Sequence, residues 1–355
     1  MCPSVHYELY QADKAQLKLR RWKTHQKTQL GLYLYKGIQK VTGGTSMHHE
    51  LTKALYDVFT LENKSDFFPT YLYLKYIDHF IYHAFLSSGL PAKKPQGKLD
   101  DSIEEMLKYY VQLIADTAAS TETNIYHGKV LKLEEAIQLV TLKRDVSLSL
   151  PERVLPFKVA RDIVLKSNDS ISVGTCVCRL VSENPCLPPP HEVCLFVGDP
   201  FASFIAENNR MFRKISQDEA VKILEFAHQK GFVHTAYFKK ETANRFMAIC
   251  NCCSCCCVGI RMWNLLQGAV PIMAPSGYVS EVSEECTGCG TCIEVCNFKA
   301  LTFDEGGEKV VVDLKKCMGC GICEDVCPIK AITLRREPSK GDPLNLEEIL
   351  RQLSH

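Results

Sequence analysis

The C-terminal part of the chain carries the feature that most restricts its fold, a repeat built around cysteine. The segments CTGCGTCIEVCNFKALTF and CMGCGICEDVCPIKAITL align without a gap at an offset of 31 residues. Four cysteines and two glycines match, together with Val, Lys, Ala and Thr. A match of this length indicates two copies of one small structural unit, each with the spacing C-x2-C-x2-C-x3-C.

This spacing is typical of proteins that hold two [4Fe–4S] clusters. Three closely spaced cysteines wrap a loop around three corners of a cluster, and the intervening glycines allow the tight turns. The fourth cysteine of each run binds the other cluster. The sequence therefore predicts one cluster on Cys286, Cys289, Cys292 and Cys327, and a second on Cys317, Cys320, Cys323 and Cys296.

The repeat resembles the bacterial two-cluster ferredoxins from Val282 to Arg335. The resemblance implies a β-α-β fold with pseudo-twofold symmetry and the transfer of single electrons between the two clusters. One position departs from the family pattern, because Pro328 follows the last cysteine of the second run whereas Asn297 follows Cys296. We therefore expect the backbone and hydrogen bonds near Cys296 to differ, and the two clusters to differ in reduction potential.

A second group of cysteines lies upstream, in TCVCRLVSENPCLPPPHEVCLFVG. Its members are Cys176, Cys178, Cys186 and Cys194. Three prolines stiffen the segment before Cys194, and Arg179 would offset the negative charge of bound thiolates. Such a set suits a [4Fe–4S] cluster or a structural zinc ion, and free or redox-active thiols are the third interpretation.

A third group places six cysteines within eight positions, in AICNCCSCCCVGIRMW. They are Cys250, Cys252, Cys253, Cys255, Cys256 and Cys257. Neighbouring side chains point apart in an extended chain, so the six cannot all bind one cluster, whereas alternate ones can converge. Two centres that share ligands with the upstream group, or a single cluster with spare thiols, both agree with the sequence.

Together with the repeat, the upstream motifs C-x-C-R, P-x-E-x-C and I-C-N-C-C-x-C-C-C resemble a wider family. This family comprises the larger ferredoxin-domain proteins of anaerobic bacteria and archaea. The likeness extends from about Val154 to Ile332 and implies an iron–sulfur electron-transfer protein without a defined substrate.

Composition and charge argue against several other classes of protein. The N-terminus lacks the apolar segment of a secretion signal, so 19 cysteines favour a reducing, cytoplasmic location over a disulfide framework. A net charge of +1 argues against nucleic acid as a partner. No nucleotide-binding motif occurs, although a flavin site stays open because many such sites have no short signature. The sequence does not indicate an oligomeric state.

The apolar stretch FFPTYLYLKYIDHFIYHAFLSSG is interrupted by Lys75 and Asp78, which favours a soluble helix over a membrane span. Peripheral association with a membrane stays open. We expect one helix over this stretch, between Pro69 and Gly89. The histidines at positions 79 and 83 favour a polar helix face over a metal site, because no third ligand lies near them in sequence.

The pattern of apolar residues predicts an α+β protein with segregated parts. Residues 1–150 are predicted to form a helical domain that docks a partner, and residues 151–277 a small α/β domain rich in cysteine. Residues 278–336 are predicted to form the two-cluster β-α-β repeat, and residues 337–355 a helical tail. Further helices are expected to start at Asp101, near Pro156 and after Ser216.

These patterns support three functions. The first is an iron–sulfur electron-transfer protein or subunit that passes single low-potential electrons between redox partner proteins, through two ferredoxin-type clusters and at least one further cluster. The second is an oxidoreductase in which residues 250–257 reduce a small substrate with electrons from the repeat. The third is a redox or metal sensor, which the lack of a DNA-reading helix or basic patch disfavours.

Overall fold

The computed structural model of the chain describes residues 47–59, 66–118, 127–155, 161–166, 170–189, 191–238, 242–267 and 272–353. The chain divides into two compact units, residues 1–54 and residues 55–355. The described part of the first unit is the start of one helix, so the predictions for residues 1–46 lie outside the described residues. The second unit contains all three groups of cysteines.

The described part of the chain contains both helices and strands, and its strands are mainly antiparallel, as in an α+β fold. The helices are α1 (Met47–Asp57), α2 (Phe67–Lys75), α3 (Ile77–Ser87), α4 (Asp101–Ala118), α5 (Leu133–Val140), α6 (Val177–Val181), α7 (Phe201–Asn208), α8 (Gln217–Gln229), α9 (Val258–Leu265), α10 (Thr291–Val295), α11 (Ile322–Asp325) and α12 (Leu346–Leu353). The strands are β1 (His127–Leu131), β2 (Val146–Ser149), β3 (Asp162–Leu165), β4 (Ile171–Thr175), β5 (Glu192–Val197), β6 (Phe212–Ile215), β7 (Val233–Phe238), β8 (Phe246–Cys252), β9 (Met273–Ala274), β10 (Tyr278–Val282), β11 (Leu301–Phe303), β12 (Val310–Val312) and β13 (Ile332–Arg336).

A seven-stranded sheet with the order β6-β4-β5-β8-β7-β1-β9 forms the centre of the second unit. Neighbouring strands are antiparallel, except that β1 and β9 are parallel. Strands β5 and β7 are buried along nearly their whole length, and β5 accordingly has an almost continuous apolar sequence. One apolar core against this sheet includes Leu131, Leu195 and Ile249.

Two sequence predictions for this region are wrong. An α/β domain implies mainly parallel strands, whereas this sheet is mainly antiparallel. Strands also occur before residue 150, where helices alone are predicted, because β1 pairs with β7 and β2 pairs with β3. The partners of β1 lie far away in sequence, so its local pattern does not reveal them. The start of the helix predicted near Pro156 lies outside the described residues, and β3 forms just after it.

The aromatic stretch forms two helices rather than one, because the backbone departs from helical geometry at Tyr76 (φ −126°, ψ 42°). Helix α3 ends before Gly89, whose φ of +68° is typical of a helix end. His79 and His83 do not form an exposed polar face. Both are buried against Glu104 of α4, with His83 Nε2 2.9 Å from Oε1 and His79 Nδ1 3.3 Å from Oε2. Within the described residues, no helix combines the length and the apolar character needed to cross a bilayer.

The helix predicted after Ser216 is confirmed as α8. The Ser216 hydroxyl accepts a hydrogen bond from the Glu219 N–H at 3.2 Å, which satisfies one of the free donors of the first turn. Gly231 follows the helix with a φ of +73°, and β7 then crosses the sheet. This helix–strand unit brings the chain back beside β8, which carries part of the third cysteine group.

The C-terminal tail packs against α5, at the apolar core beside the central sheet. Leu346 and Ile349 of α12 lie in the same apolar core as the sheet residues. Asn345 caps the helix by accepting a hydrogen bond from the Glu348 N–H at 3.1 Å. The predicted tail helix is confirmed, and it forms part of the second unit.

Residues 278–336 form two small antiparallel sheets, β10 with β13 and β11 with β12. The short helices α10 and α11 carry the third cysteine of each run, so the sequence repeat is also a structural repeat. Phe298 of this repeat unit packs edge-to-face on Trp263 of α9, with ring centroids 5.3 Å apart. These rings belong to an apolar core that also contains Val233 and Ile322. The repeat unit therefore packs directly on the central sheet.

Candidate metal–sulfur centres

The eight cysteines of the repeat unit lie in two sets. Cys286, Cys289, Cys292 and Cys327 line one cavity together. Cys317, Cys320, Cys323 and Cys296 lie close enough for their charges to interact. The structure thus brings the last cysteine of each run close to the first three of the other run, and the assignment of these thiols to two clusters stays a prediction.

Backbone N–H groups point at several of these sulfurs. The N–H of Ala300 donates to Cys296 Sγ at 3.3 Å, and the N–H of Ala331 donates to Cys327 Sγ at 3.2 Å. The two bonds are related by the offset of the sequence repeat, since 300 and 331 differ by 31. Hydrogen bonds to sulfur stabilise thiolates and tune the potential of a cluster, so these sets suit [4Fe–4S] clusters.

Two glycines show why the cysteine loops need this residue type. Gly288 and Gly319 have φ values of +65° and +66°. A Cβ atom at Gly288 would overlap the carbonyl oxygen of Glu308, and one at Gly319 would overlap that of Tyr278. The loops therefore require both the left-handed backbone and the close approach that only glycine permits.

Residues 285–331 match the family model of the 4Fe-4S dicluster domain. The repeat unit is a ferredoxin-type module. No curated protein and no solved structure matches the chain. The resemblance of the whole region from Val154 to Ile332 to larger proteins of anaerobes stays a prediction.

The two cysteine sets of the ferredoxin module differ in their surroundings. Cys289 is exposed, whereas Cys317 and Cys323 are buried. Burial raises the pKa of the Cys323 thiol to about 12. The Ser280 hydroxyl lies 3.0 Å from Cys323 Sγ, and the Ser280 N–H donates to Cys317 Sγ at 3.4 Å. The first set thus faces solvent at Cys289, and the second lies deeper in the protein.

The upstream cysteines lie at the ends of three adjacent strands of the central sheet. Cys176 and Cys178 follow β4, Cys194 lies in β5, and Cys250 and Cys252 lie in β8. The turn after β8 carries the remaining cysteines of the third group and leads into α9. Neighbouring strands with short connections thus bring together residues that are up to 81 positions apart in sequence (Cys176 to Cys257).

Six of these thiols form a closed ring. Each one lies close enough to two neighbours to change their pKa, in the order Cys176, Cys178, Cys257, Cys252, Cys250, Cys194 and back to Cys176. The neighbouring thiols of Cys178 and Cys194 hold the pKa of Cys176 well below its usual range. The ring lines a cavity of about 40 Å³, which Tyr73, Ile77 and Ile81 also line.

The other four thiols form a separate group, here named the four-thiol group. It consists of Cys186, Cys253, Cys255 and Cys256, whose sulfurs all lie within 4.8 Å of one another. The structure therefore separates Cys186 from the other cysteines of its sequence group. It also divides the six cysteines of the stretch 250–257. Cys253, Cys255 and Cys256 belong to the four-thiol group, whereas Cys250, Cys252 and Cys257 belong to the six-thiol ring.

Arg179 lies between the ring and the four-thiol group. Its side chain is 1% exposed, and its Nη2 donates to Cys253 Sγ at 3.3 Å. Nη1 donates to the carbonyl oxygen of Asn251 at 3.0 Å, and the guanidinium lies over the ring of Phe232 at 4.0 Å from its centroid. A buried cation stabilises neighbouring thiolates, as the sequence analysis expects for this residue.

Asn297, the departure from the ferredoxin pattern, joins the ferredoxin module to the four-thiol group. Its Oδ1 accepts a hydrogen bond from the N–H of Ser254 at 2.8 Å, and its Nδ2 donates to the carbonyl oxygen of Gly231 at 2.9 Å. Ser254 lies between Cys253 and Cys255, and Asn297 directly follows Cys296. The sequence marks position 297 as unusual, but the contact with Ser254 is visible only in the folded chain.

A second chain of polar contacts links the same two regions. It runs from Asp325 of α11 through His228 and His234 to Asn251, with separations of 3.1 Å between the histidines and 2.6 Å between His234 Nδ1 and Asn251 Oδ1. Because an amide oxygen only accepts, His234 donates from Nδ1 to Asn251 Oδ1. Burial lowers the pKa of His234 to about 4. This chain of contacts has no signature in the sequence, since its members come from four separate elements.

Proposed function

We propose that the chain is an iron–sulfur electron-transfer protein that passes single low-potential electrons between redox partner proteins. Cys286, Cys289, Cys292 and Cys327 would hold one [4Fe–4S] cluster, and Cys317, Cys320, Cys323 and Cys296 would hold the second. At least one further iron–sulfur centre would lie on the upstream thiols. The dicluster module and the cysteine-rich site both support this role.

The clusters would supply the one-electron chemistry, and the protein residues set the conditions for it. The N–H groups of Ala300, Ala331 and Ser280 lower the energy of the thiolates they contact. Exposure of Cys289 gives an external partner protein access to the first set. Burial around Cys323 keeps water from the second set, which lies towards the central sheet.

The contact between Asn297 and Ser254 is the observation that carries the proposal. A covalent and hydrogen-bonded path leads from Cys296 through Asn297 and Ser254 to Cys253 and Cys255, and from there along the chain to Cys252 and Cys257 of the six-thiol ring. Asn297 is 6% exposed, so the path is shielded from solvent. A proline at this position would lack both side-chain hydrogen bonds, and the module would lose this connection.

We further propose that residues 278–336 and residues 151–277 are the two redox-active parts of the chain. The helices before residue 150 contribute the residues that cover the six-thiol cavity, namely Tyr73, Ile77 and Ile81. In this arrangement the helices isolate the upstream site from water, in addition to any contact that they make with a partner.

Replacement of Asn297 by alanine tests the path. The Asn297→Ala protein should keep the iron and sulfide of the module, because Cys296 is intact. After mixing with less than one equivalent of reductant, freeze-quench EPR should show slower reduction of the upstream centre than in the natural protein. The matched control is Pro328→Asn, at the equivalent and exposed position of the second run, which should not change this rate.

Iron and sulfide analysis of the anaerobically purified protein tests the number of centres. Two [4Fe–4S] clusters account for about eight irons per chain, so the proposal requires clearly more than that. A count of about eight, with no EPR signal beyond that of the module, would contradict an upstream iron–sulfur centre.

A second function, an oxidoreductase, is favoured by the cavity that the six-thiol ring lines. A small oxidised substrate would bind in this cavity and receive electrons from the module. Addition of candidate disulfide or other oxidised compounds to the reduced protein should then shift the upstream EPR signal and reoxidise the module. Unchanged spectra with every compound would favour simple electron transfer.

A further inference from the structure

The four sulfurs of the four-thiol group lie at short distances from one another. The Sγ–Sγ distances are 3.4 Å for Cys186–Cys253, 3.3 Å for Cys253–Cys255, 3.6 Å for Cys255–Cys256 and 3.8 Å for Cys256–Cys186. Four ligand atoms at such distances surround a space for one atom. Four thiolates about 2.3 Å from one metal ion would stand about 3.8 Å apart at the corners of a tetrahedron.

The other cysteine sets do not have this geometry. Across the described ranges, the four-thiol group is the only set of three or more Cys, His, Asp or Glu residues whose ligand atoms all lie within 4.8 Å of one another. The eight thiols of the ferredoxin module stand further apart, which suits clusters whose iron atoms separate the ligands. The chain thus contains two kinds of thiol arrangement, with widely spaced sulfurs in the ferredoxin module and closely spaced sulfurs in the four-thiol group.

Local structure explains how four thiols converge so closely. Residues 254–256 form a turn between β8 and α9, so consecutive side chains do not alternate as they would in a strand. The Asn297 side chain holds this turn through the Ser254 N–H, and Cys186 reaches it from the loop before β5. The turn also places Cys257 in the six-thiol ring, away from this group.

Charge and exposure also fit a bound cation with four thiolate ligands. Such a centre carries a net charge of −2 with a divalent ion, and the buried guanidinium of Arg179 contacts Cys253. The Nε of Arg179 has no hydrogen-bond partner in the protein, which leaves this buried cation free to interact with a negative centre. Cys186 and Cys255 are exposed, so an ion can enter from solvent.

We propose that Cys186, Cys253, Cys255 and Cys256 bind a single tetrahedral metal ion, zinc or iron, at a site separate from the six-thiol ring. Four thiolates in a tetrahedron suit both ions. The ring and the module would then hold the polynuclear clusters of the proposed function. The single-ion site does not depend on electron transfer, because it follows from the thiol geometry alone.

Metal analysis and X-ray absorption of the full-length protein test this site. The protein is produced anaerobically in two media, one supplemented with zinc and one with iron alone. With zinc, we expect one zinc per chain, four sulfur neighbours at about 2.3 Å and no metal–metal scattering. With iron alone, we expect iron in excess of sulfide and a high-spin ferric EPR signal after mild oxidation. Absence of the extra ion in both preparations, or metal–metal scattering at the zinc, would overturn the proposal.

Two variants assign the ion to these thiols. Cys255→Ser, at an exposed position, should lose the single ion and keep the sulfide content of the natural protein. The matched control is Cys250→Ser in the six-thiol ring, which should keep the single ion and lose upstream sulfide. Equal loss of iron and sulfide in Cys255→Ser would show that this thiol binds a cluster instead, and would overturn the proposal. An unchanged reduction rate in Asn297→Ala would contradict the proposed electron path. It would not change the metal contents expected for Cys255→Ser and Cys250→Ser, so the two proposals fail separately.

Discussion

At the scale of single residues, the cysteine loops depend on glycines, which have no side chain, as much as on the thiols. Gly319 lies against the carbonyl oxygen of Tyr278 in a left-handed conformation, and Gly288 has the equivalent position in the first run. The tight turns at these glycines set the directions of the neighbouring cysteines. A ligand set of this kind is therefore specified by the residues between the cysteines as well as by the cysteines.

Replacement of Gly319 by alanine should destabilise the module strongly. The left-handed backbone alone costs a residue with a Cβ about 1–2 kcal/mol, and the overlap with Tyr278 adds to it. The control is Gly307→Ala, where φ is +73° but no atom lies within 4 Å of the new Cβ, so only the backbone cost remains. Denaturant unfolding followed by cluster absorbance measures both. Equal effects of the two substitutions would show that the close contact is unimportant.

His234 should make the stability of the protein depend on pH. Its folded pKa, lowered to about 4 by burial, is below the value of about 6.5 in an unfolded chain, so the folded state binds fewer protons. Stability is therefore complete above pH 6.5 and falls as the pH drops towards 4, by about 2 kcal/mol at pH 5. Comparison of urea unfolding at pH 7 and pH 5 measures this loss. His234→Gln should show a loss smaller by that amount, and an identical loss would contradict the assignment.

At the scale of elements, the central sheet decides which cysteines meet. The order β4-β5-β8 places the ends of three strands side by side, although β8 follows β5 in sequence only after four other elements. Cys194 of β5 thus lies next to Cys250 of β8 in the thiol ring. The turn after β8 then directs the later cysteines to two different sites.

The tail helix α12 should contribute to the stability of the sheet that carries these sites. Ile349 is 5% exposed and lies in the core beside the sheet, so Ile349→Ala should lower the free energy of unfolding by about 2–5 kcal/mol. Glu347→Ala, on the exposed side of the same helix, should change it by less than about 0.5 kcal/mol. Thermal or denaturant unfolding by circular dichroism compares the two. Similar values would show that the tail does not pack on the sheet in solution.

At the scale of the whole molecule, the ferredoxin module and the sheet share an apolar core. Phe298, Met318 and Ile322 of the module pack with Val233 and Trp263 of the sheet and α9. The contacts of Asn297 and of His228 with Asp325 add polar links across the same boundary. The ferredoxin-type module and the upstream thiols are therefore held in one orientation, which the proposed electron transfer between them requires.

Because this core is shared, the module and the sheet should unfold together. Phe298→Ala removes a ring that is 2% exposed, and it should lower the stability of both regions by about 3–5 kcal/mol. Cluster absorbance and far-ultraviolet circular dichroism should then report the same midpoint. The control is Phe303→Ala, whose ring is 47% exposed, and which should have little effect. Loss of cluster absorbance well before the loss of secondary structure would contradict a shared core.

The sequence alone determined the ferredoxin-type module, and the reason is local. Its cysteines lie close together, its glycines fall at the turns, and the repeat shows the unit twice, so short-range geometry is sufficient. The same local logic predicted α8 from Ser216 and the tail helix. It failed for the aromatic stretch, because the break at Tyr76 has no proline or glycine to mark it, and for β1, whose partners are distant in sequence.

The division of the upstream thiols was decided only by the tertiary structure. Sequence analysis grouped Cys186 with Cys176, Cys178 and Cys194, since they are neighbours along the chain. In the folded protein the strand order and the turn after β8 outweigh that proximity, and Cys186 joins the four-thiol group. Spacing specifies a site when its ligands share a loop, whereas ligands on separate strands meet only where the sheet places them.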